Sequence, residues 1–321
     1  MEFEKIPTVP TADEILDRSF RRAAAKMKEK RNKDRANEDF VRSVHAAVHD
    51  RLVHVIQSFP DFEALPPFYR DVVEILYGID RMKKSLGAVG WAARWSRTHG
   101  PGLIYQTRKA EEPSIIRRRS VARLSSVVHQ IDDELRFLND VRNVLRKLPH
   151  VEDVYTVVIG GYPNVGKSSF IRLVSTASPQ VASYPFTTKG IIVGHRFINR
   201  ERMQFIDTPG ILDRPGEDRN AIERQALNAI IHLADLLLFI LDASESCGYP
   251  LASQLRLLDE LQASLDIPIL VVVNKADIVP HGGYLNISTT TGSGIGEVLS
   301  IITCSMDKQG SEVTSPLSDT R

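Results

Sequence analysis

The sequence predicts an all-α bundle followed by an α/β unit with a mainly parallel sheet. Three observations lead there: apolar residues recur at helical spacing up to about residue 148, short apolar runs alternate with helical segments after Pro149, and the charge balance changes sign at the same point. Residues 1–150 carry 28 Lys and Arg against 21 Asp and Glu, a balance of +7; residues 151–321 carry 13 against 19, a balance of −6. A chain of 321 residues exceeds a typical single core, so two units are expected, at 1–150 and 151–306.

The helices of the first unit follow in order. Pro10 leads into Thr11 with Glu14 three residues on, a capping box that starts a helix near residue 12, with Leu16, Phe20, Ala24 and Met27 on one face. Val41, Val44, Val48, Leu52 and Val55 predict a helix over 38–58 that Pro60 closes. Shorter segments follow at 67–77 and 79–98. Val121, Leu124, Val128, Ile131, Leu135, Leu138 and Leu145 then predict one long helix over 114–148, packed lengthwise as in a bundle.

Beyond Pro149 the apolar runs Tyr155–Ile159, Ile191–Phe197, Met203–Ile206, Leu236–Leu241 and Ile267–Val273 predict the strands. From about 307 the chain turns Ser, Thr, Asp and Gly rich and is expected to be a disordered tail. No run of eighteen uncharged apolar residues occurs, and the N-terminus has no basic then apolar leader. Cys247 and Cys304 have no Cys or His at metal-ligand spacing, which argues against disulfide or zinc frameworks and fits a reducing compartment. A cytoplasmic monomer, with neither a membrane nor DNA as partner, is the expectation.

Gly161, Tyr162, Pro163, Asn164, Val165, Gly166, Lys167 and Ser168, followed by Ser169, form a phosphate-loop pattern that leaves a predicted strand and opens a helix. Its amides and the helix N-terminus suit phosphates, Lys167 reaches the terminal ones, and the Ser168 hydroxyl suits magnesium. Asp207-Thr208-Pro209-Gly210 ends a later strand, with Asp207 available to the magnesium shell and the Gly210 amide to the terminal phosphate. Between them Thr188, in Ser183-Tyr184-Pro185-Phe186-Thr187-Thr188, offers a second hydroxyl to the metal. Asn274-Lys275-Ala276-Asp277 follows the last long apolar run, and Asp277 would accept from guanine N1 and N2, which adenine cannot supply. Ser288 and Thr289 stand where a final loop would support the ring. Each tetrapeptide alone is good turn chemistry, but four in this order outweigh that reading and imply GTP or GDP with Mg2+.

The ordered set resembles the translation-factor class of P-loop GTPases, and Tyr184-Pro185-Phe186-Thr187-Thr188 its Obg-related branch. Val9-Pro10-Thr11-Ala12-Asp13-Glu14, the stretch from Asp207 to Arg214 running into Glu217–Ala226, and Ser244-Glu245-Ser246-Cys247-Gly248 resemble the nucleolar GTP-binding protein (Nog) family, over about the first 300 residues. That resemblance implies a helical domain before a P-loop GTPase domain and a role in assembly of the large ribosomal subunit. It further implies the short, archaeal form without the long eukaryotic tail. One departure is that ten residues separate Asp277 from Ser288, too few for the helix usual there.

Ile211 stands where many GTPases place a water-orienting glutamine, so slow intrinsic hydrolysis is expected, helped by a partner, a second water-positioning group or a potassium ion. Asn164 matches the position of an ion ligand in K+-activated members, though loop shape alone accounts for it equally well. Basic clusters at Arg21–Arg35, Arg81–Lys84, Arg97–Lys109 and Arg117–Arg119 ordinarily mean a solvated face; repeated on one unit, and joined to the resemblance, they point to ribosomal RNA and the large-subunit precursor as partners of residues 1–150. Trp91 and Trp95 are expected in the core, and His45, His49 and His54 on the surface. Cys247 has no assigned role. Two rival readings stand beside the switch: a structural assembly module with incidental turnover, and an Obg-like sensor of guanine nucleotides.

Overall fold

The computed structural model describes residues 3–28, 33–186, 190–198, 201–207, 212, 227 and 229–313. Two compact units divide the chain, Met1–Arg146 and Lys147–Arg321. The first holds α1 (Ala12–Lys28), α2 (Lys33–Ser58), α3 (Pro67–Tyr77), α4 (Ile79–Lys109), α5 (Pro113–His129) and α6 (Asp132–Leu145).

The capping box at α1 forms: the Thr11 amide donates to the Glu14 carboxylate at 2.9 Å and the Glu14 amide to Thr11 Oγ1 at 3.3 Å. The Ala12 amide donates to Asp132 Oδ1 at 2.7 Å, so α6 fixes the entry to α1. In the middle of the bundle α2 packs on α1, α4 and α5. Its Val41, Val44, Val48, Leu52 and Val55 are all buried, each worth about 1.5–3 kcal/mol of apolar burial.

Three expectations for the helices change. The run over 114–148 is two helices, because the chain turns at Gln130 and Ile131 before Asp132, Asp133 and Glu134 open α6 as an acidic first turn opposite the helix dipole. The apolar stripe survives the break, with Leu124, Val128, Ile131, Leu135, Leu138 and Leu145 buried. Helix α4 continues to Lys109 through Pro101, which has no amide to give. Outside contacts hold that half: Leu103 and Thr107 are buried, Arg108 donates to Glu38 through Nη2 at 2.6 Å and Nε at 3.1 Å, and Gly100 lies so close to the His45 ring that a Cβ would sit 3.3 Å from it. Helix α2 starts at Lys33, ahead of the expected residue 38.

His45 is not on the surface. It is buried between α4 and α5, Nδ1 lying 3.1 Å from the Ser96 carbonyl and Nε2 3.1 Å from Ser120 Oγ. Burial pushes its pKa down against the opposing Ser96 bond. His49 is half-buried with Nδ1 2.9 Å from the Ala93 carbonyl, and only His54 is exposed as expected. Trp91 is not core but 42% exposed, whereas Trp95 is half-buried and its ring stacks on His45 and His99. Several cations of the basic clusters serve the fold: Arg108 shares Glu38 with Arg42, Arg81 pairs with Glu134, and Arg117 lies over the Phe40 ring and donates to Met27 Sδ.

The second unit carries β1 (Tyr155–Gly160), α7 (Lys167–Val174), β2 (Gln180–Ala182), β3 (Ile191–Ile198), β4 (Glu201–Asp207), β5 (Leu236–Asp242), α8 (Leu251–Ser264), β6 (Ile269–Asn274), β7 (Leu285–Asn286) and α9 (Ile295–Val313). Among the described residues one sheet runs β2-β3-β4-β1-β5-β6-β7. The β4, β1, β5, β6 and β7 neighbours pair in parallel, and β2 and β3 add antiparallel pairs at one end. Central strands covered on both faces read as unbroken apolar runs, and all of β5 is buried. With three and two residues, β2 and β7 are too short to show a period, which is why the sequence reading lacks them. No helix fits between Asp277 and Ser288; turns and β7 fill the stretch. Helix α9 reaches Val313, so residues 307–313 are helical rather than part of a disordered tail. Among the described residues no helix is long and apolar enough to cross a membrane.

Candidate nucleotide site

Four parallel strands end on one edge of the sheet, at Gly160, Asp207, Asp242 and Asn274. Open α/β sheets bind ligands beyond such carboxyl ends. The loop from Gly161 to Gly166 leaves β1 there and enters α7. Its course depends on glycine: Gly161 has φ +131°, and a Cβ would lie 2.4 Å from the Ile240 carbonyl oxygen; Gly166 has φ +107°, and a Cβ would lie 2.1 Å from Asn274 Nδ2. Asn164 also takes a left-handed φ of 62° and is exposed, Pro163 is half-buried, and Val165 and Tyr162 are buried. Lys167 is buried, its ammonium donating to the carbonyls of Gly161 at 2.6 Å and Tyr162 at 2.8 Å. The Ser168 hydroxyl donates to Asp207 Oδ2 at 2.6 Å, while Ser169 on the next helical position is exposed. Two hard oxygen donors in contact at a helix N-terminus are a set that fits Mg2+.

Asn274, 1% exposed, joins three loops. Its Nδ2 donates to the Val165 carbonyl at 2.8 Å and to Thr289 Oγ1 at 3.1 Å, and its Oδ1 accepts from the Thr289 amide at 2.9 Å. The phosphate loop, the loop after β6 and the loop after β7 are thereby fixed to one side chain. Ser288 is buried and organises the last of them, accepting at Oγ from the Thr291 amide at 3.1 Å while its own amide donates to the Ser293 carbonyl at 3.0 Å. Ala276 donates to the Ile287 carbonyl at 3.1 Å, and Asp277 beside it is exposed. Thr188, Gly210 and Ile211 lie outside the described residues, as do Thr187, Thr208 and Pro209.

Lys275 is held by residues the sequence reading did not single out for the site. With a left-handed φ of 61°, it donates from Nζ to Asp242 Oδ2 at 2.7 Å and to Ser246 Oγ at 2.9 Å. Burial raises the Asp242 pKa, but the hydrogen bonds from Lys275 and Ser244 and the charge of Lys275 outweigh it and hold the carboxyl below its ordinary value. The Cys247 amide donates to the same oxygen at 2.8 Å. Gln254 of α8, fully buried, brackets the Asp242 backbone, accepting its amide at 2.8 Å and donating to its carbonyl at 3.1 Å. Cys247, which had no role, packs its sulfur 3.5 Å from Gln254 Nε2. A carboxylate closing the wholly apolar run Leu236–Leu241 was the available signal.

Comparison with known proteins follows the same division. Residues 3–152 match the model described as NOG1 N-terminal helical domain, and residues 156–275 the model described as 50S ribosome-binding GTPase. An uncharacterized protein of Methanocaldococcus jannaschii is 42% identical over 288 residues, covering 86% of this chain and 81% of its own length. The chain belongs to the nucleolar GTP-binding protein (Nog) family. Nucleolar GTP-binding protein 1 of Arabidopsis thaliana is 36% identical over 291 residues, and that of Drosophila melanogaster 33% over 289. These cover 87% and 86% of this chain, which spans only 43% and 44% of their length. The Nog assignment makes this a GTP-binding protein with a P-loop GTPase domain after a helical one.

Proposed function

We propose that this chain hydrolyses GTP to GDP and phosphate, slowly by itself, and that the turnover acts as a switch in assembly of the large ribosomal subunit. The observation that carries the nucleotide reading is the Asn274 side chain, which ties the phosphate loop to both loops expected to read guanine. Three motifs spread over the unit have this shared anchor, which turn chemistry alone does not require. The ribosomal part is supported by the nucleolar names of the relatives, by the ribosome-binding description of the matching GTPase model and by the +7 balance of residues 1–150.

In this reading the loop amides and the α7 N-terminus take the phosphates, Lys167 exchanges its two carbonyls for terminal phosphate oxygens, and Asp277 pairs with guanine. Ser168, Asp207 and Thr188 would hold Mg2+, which supplies charge neutralisation between the phosphates. Water attacks the terminal phosphorus, its bond to the bridging oxygen breaks, and GDP, phosphate and a proton leave. Ile211 offers no hydrogen bond to orient that water, so the chain's own rate is low. In the same reading Asn164, exposed on the loop, would offer its amide oxygen to a K+ ion. Hydrolysis is then expected to run faster in potassium than in sodium at equal ionic strength, a difference that Asn164→Ala removes; equal rates in wild type would discard the ion.

Ile211 also favours a second reading, in which bound GTP holds a structural module and turnover is incidental. Multiple-turnover phosphate release, with and without large-subunit precursor particles, separates them: stimulation by particles is expected for the switch, and an unchanged rate for the module.

A further inference from the structure

We propose that Asp242 is a positioning residue for guanine recognition, acting through Lys275, and that the loop Asp242–Gly248 is a cradle built to hold it. The inference rests on the nucleotide reading above and assigns a task to residues that reading does not use.

A carboxylate removed from water is expensive unless charged and hydrogen-bonding partners compensate it. Asp242 is fully buried and is compensated several times over, by the Lys275 ammonium, the Ser244 hydroxyl and amide, the Ser246 hydroxyl and the Cys247 amide. Most of these donors come from within its own turn, so the turn is closed without Lys275. What the lysine adds is a connection between β5 and the loop after β6, at the residue next to Asn274 and two before the guanine-pairing Asp277.

Lys275 needs such a hold. Its left-handed backbone sends the side chain away from the path a regular strand would give, and a lysine stem has several free rotors. With Nζ fixed by Asp242 Oδ2 and Ser246 Oγ, the aliphatic stem is held at both ends. A stem held this way is a rigid apolar rail, and a rail beside the guanine-reading carboxylate offers a flat purine a surface without loss of rotor freedom. Gln254 completes the device by fixing the Asp242 backbone through both its amide and its carbonyl.

The test is a double-mutant cycle on the full chain, titrating GTP and GDP. Asp242→Asn keeps the shape and removes the charge, and is expected to weaken both nucleotides equally, by roughly 10- to 100-fold, since a hydrogen bond between charged partners is lost and the phosphates are not touched. In a Lys275→Ala background the same substitution is expected to change affinity by less than about threefold, because its effect passes through the lysine. Equal effects in the two backgrounds, or a loss confined to GTP, overturn the proposal. Should Asp242→Asn fail to fold, Ser246→Ala serves in its place, with an expected loss of about threefold that again requires Lys275. Failure of wild type to bind GTP at all strikes the nucleotide reading instead; tight wild-type binding with an indifferent Asp242→Asn strikes only this one.

Discussion

The two units handle positive charge in opposite ways. In the GTPase unit Lys167 is buried and Lys275 half-buried, each ammonium held by oxygens of defined loops at 2.6–2.9 Å. In the helical unit the cations are many and mostly exposed, Arg118 and Arg119 among them, and some pairs, such as Arg21 with Asp17, sit in solvent where they contribute little. Position carries the chemistry of the first arrangement; number carries that of the second. Substitutions in the GTPase unit should therefore act individually and steeply, and those on the helical surface collectively and in proportion to salt.

The largest effect expected from position is at the base. Asp277→Asn should lower GTP affinity by about four orders of magnitude and raise that for xanthosine triphosphate, whose ring reverses the donor at N2. Titration of both nucleotides checks it, and unchanged GTP affinity would remove Asp277 from the site. Next is the shared anchor. Asn274→Ala leaves the Val165 carbonyl and the Thr289 amide without the partner they now have, at an expected cost of about 3 kcal/mol, or roughly 100-fold in GTP and GDP affinity alike. Isothermal titration reads this, and a loss restricted to one nucleotide would contradict an anchor common to all three loops.

Number predicts something gentler. Replacing Arg118 and Arg119 with Gln in the full chain should lower the slope of log affinity for large-subunit rRNA against log salt by about one to two, measured between about 50 and 200 mM. Arg117 is left in place because its half-buried guanidinium packs on Phe40. A slope unaltered by both substitutions would take this face of α5 out of any phosphate-contacting surface.

The same contrast explains what the sequence disclosed. The phosphate loop, Asp207 and Asn274 were legible because phosphate and guanine chemistry demands fixed residue types at strand ends, and the long strands because burial on both faces leaves unbroken apolar runs. The break at Gln130 was not legible, since the buried stripe from Leu124 to Leu145 keeps its spacing across it. Nor was α4 beyond Pro101, which depends on Glu38 and His45 of another helix. Asp242 and Gln254 were missed for a related reason: what ties them to the site is Lys275, far along the chain, for Asp242 and the Asp242 backbone for Gln254, and neither pairing leaves a motif.

His45 is where the helical unit departs from its own pattern, a titratable group buried and fixed by position, and it gives the smallest of the expected effects. Burial lowers its pKa, with the Ser96 carbonyl opposing and His99 assisting. Below its ordinary value near 6.5 the unfolded chain therefore takes up a proton that the folded chain resists, so stability rises with pH through that window. The contribution of His45 is complete above about pH 6.5 and is lost as pH falls toward the depressed folded value. His129 works in the other direction, its pKa raised by the Ser125 carbonyl and by Asp13, so the wild-type profile alone mixes the two. Subtracting a His45→Gln profile cancels His129 and leaves the His45 part. Both tryptophans of the chain, Trp91 and Trp95, lie in α4, so urea unfolding followed by their fluorescence reports this unit without the GTPase domain. The expected result is that wild type loses stability between pH 7 and pH 5.5 faster than His45→Gln does; parallel profiles would mean that the buried imidazole titrates no differently when folded.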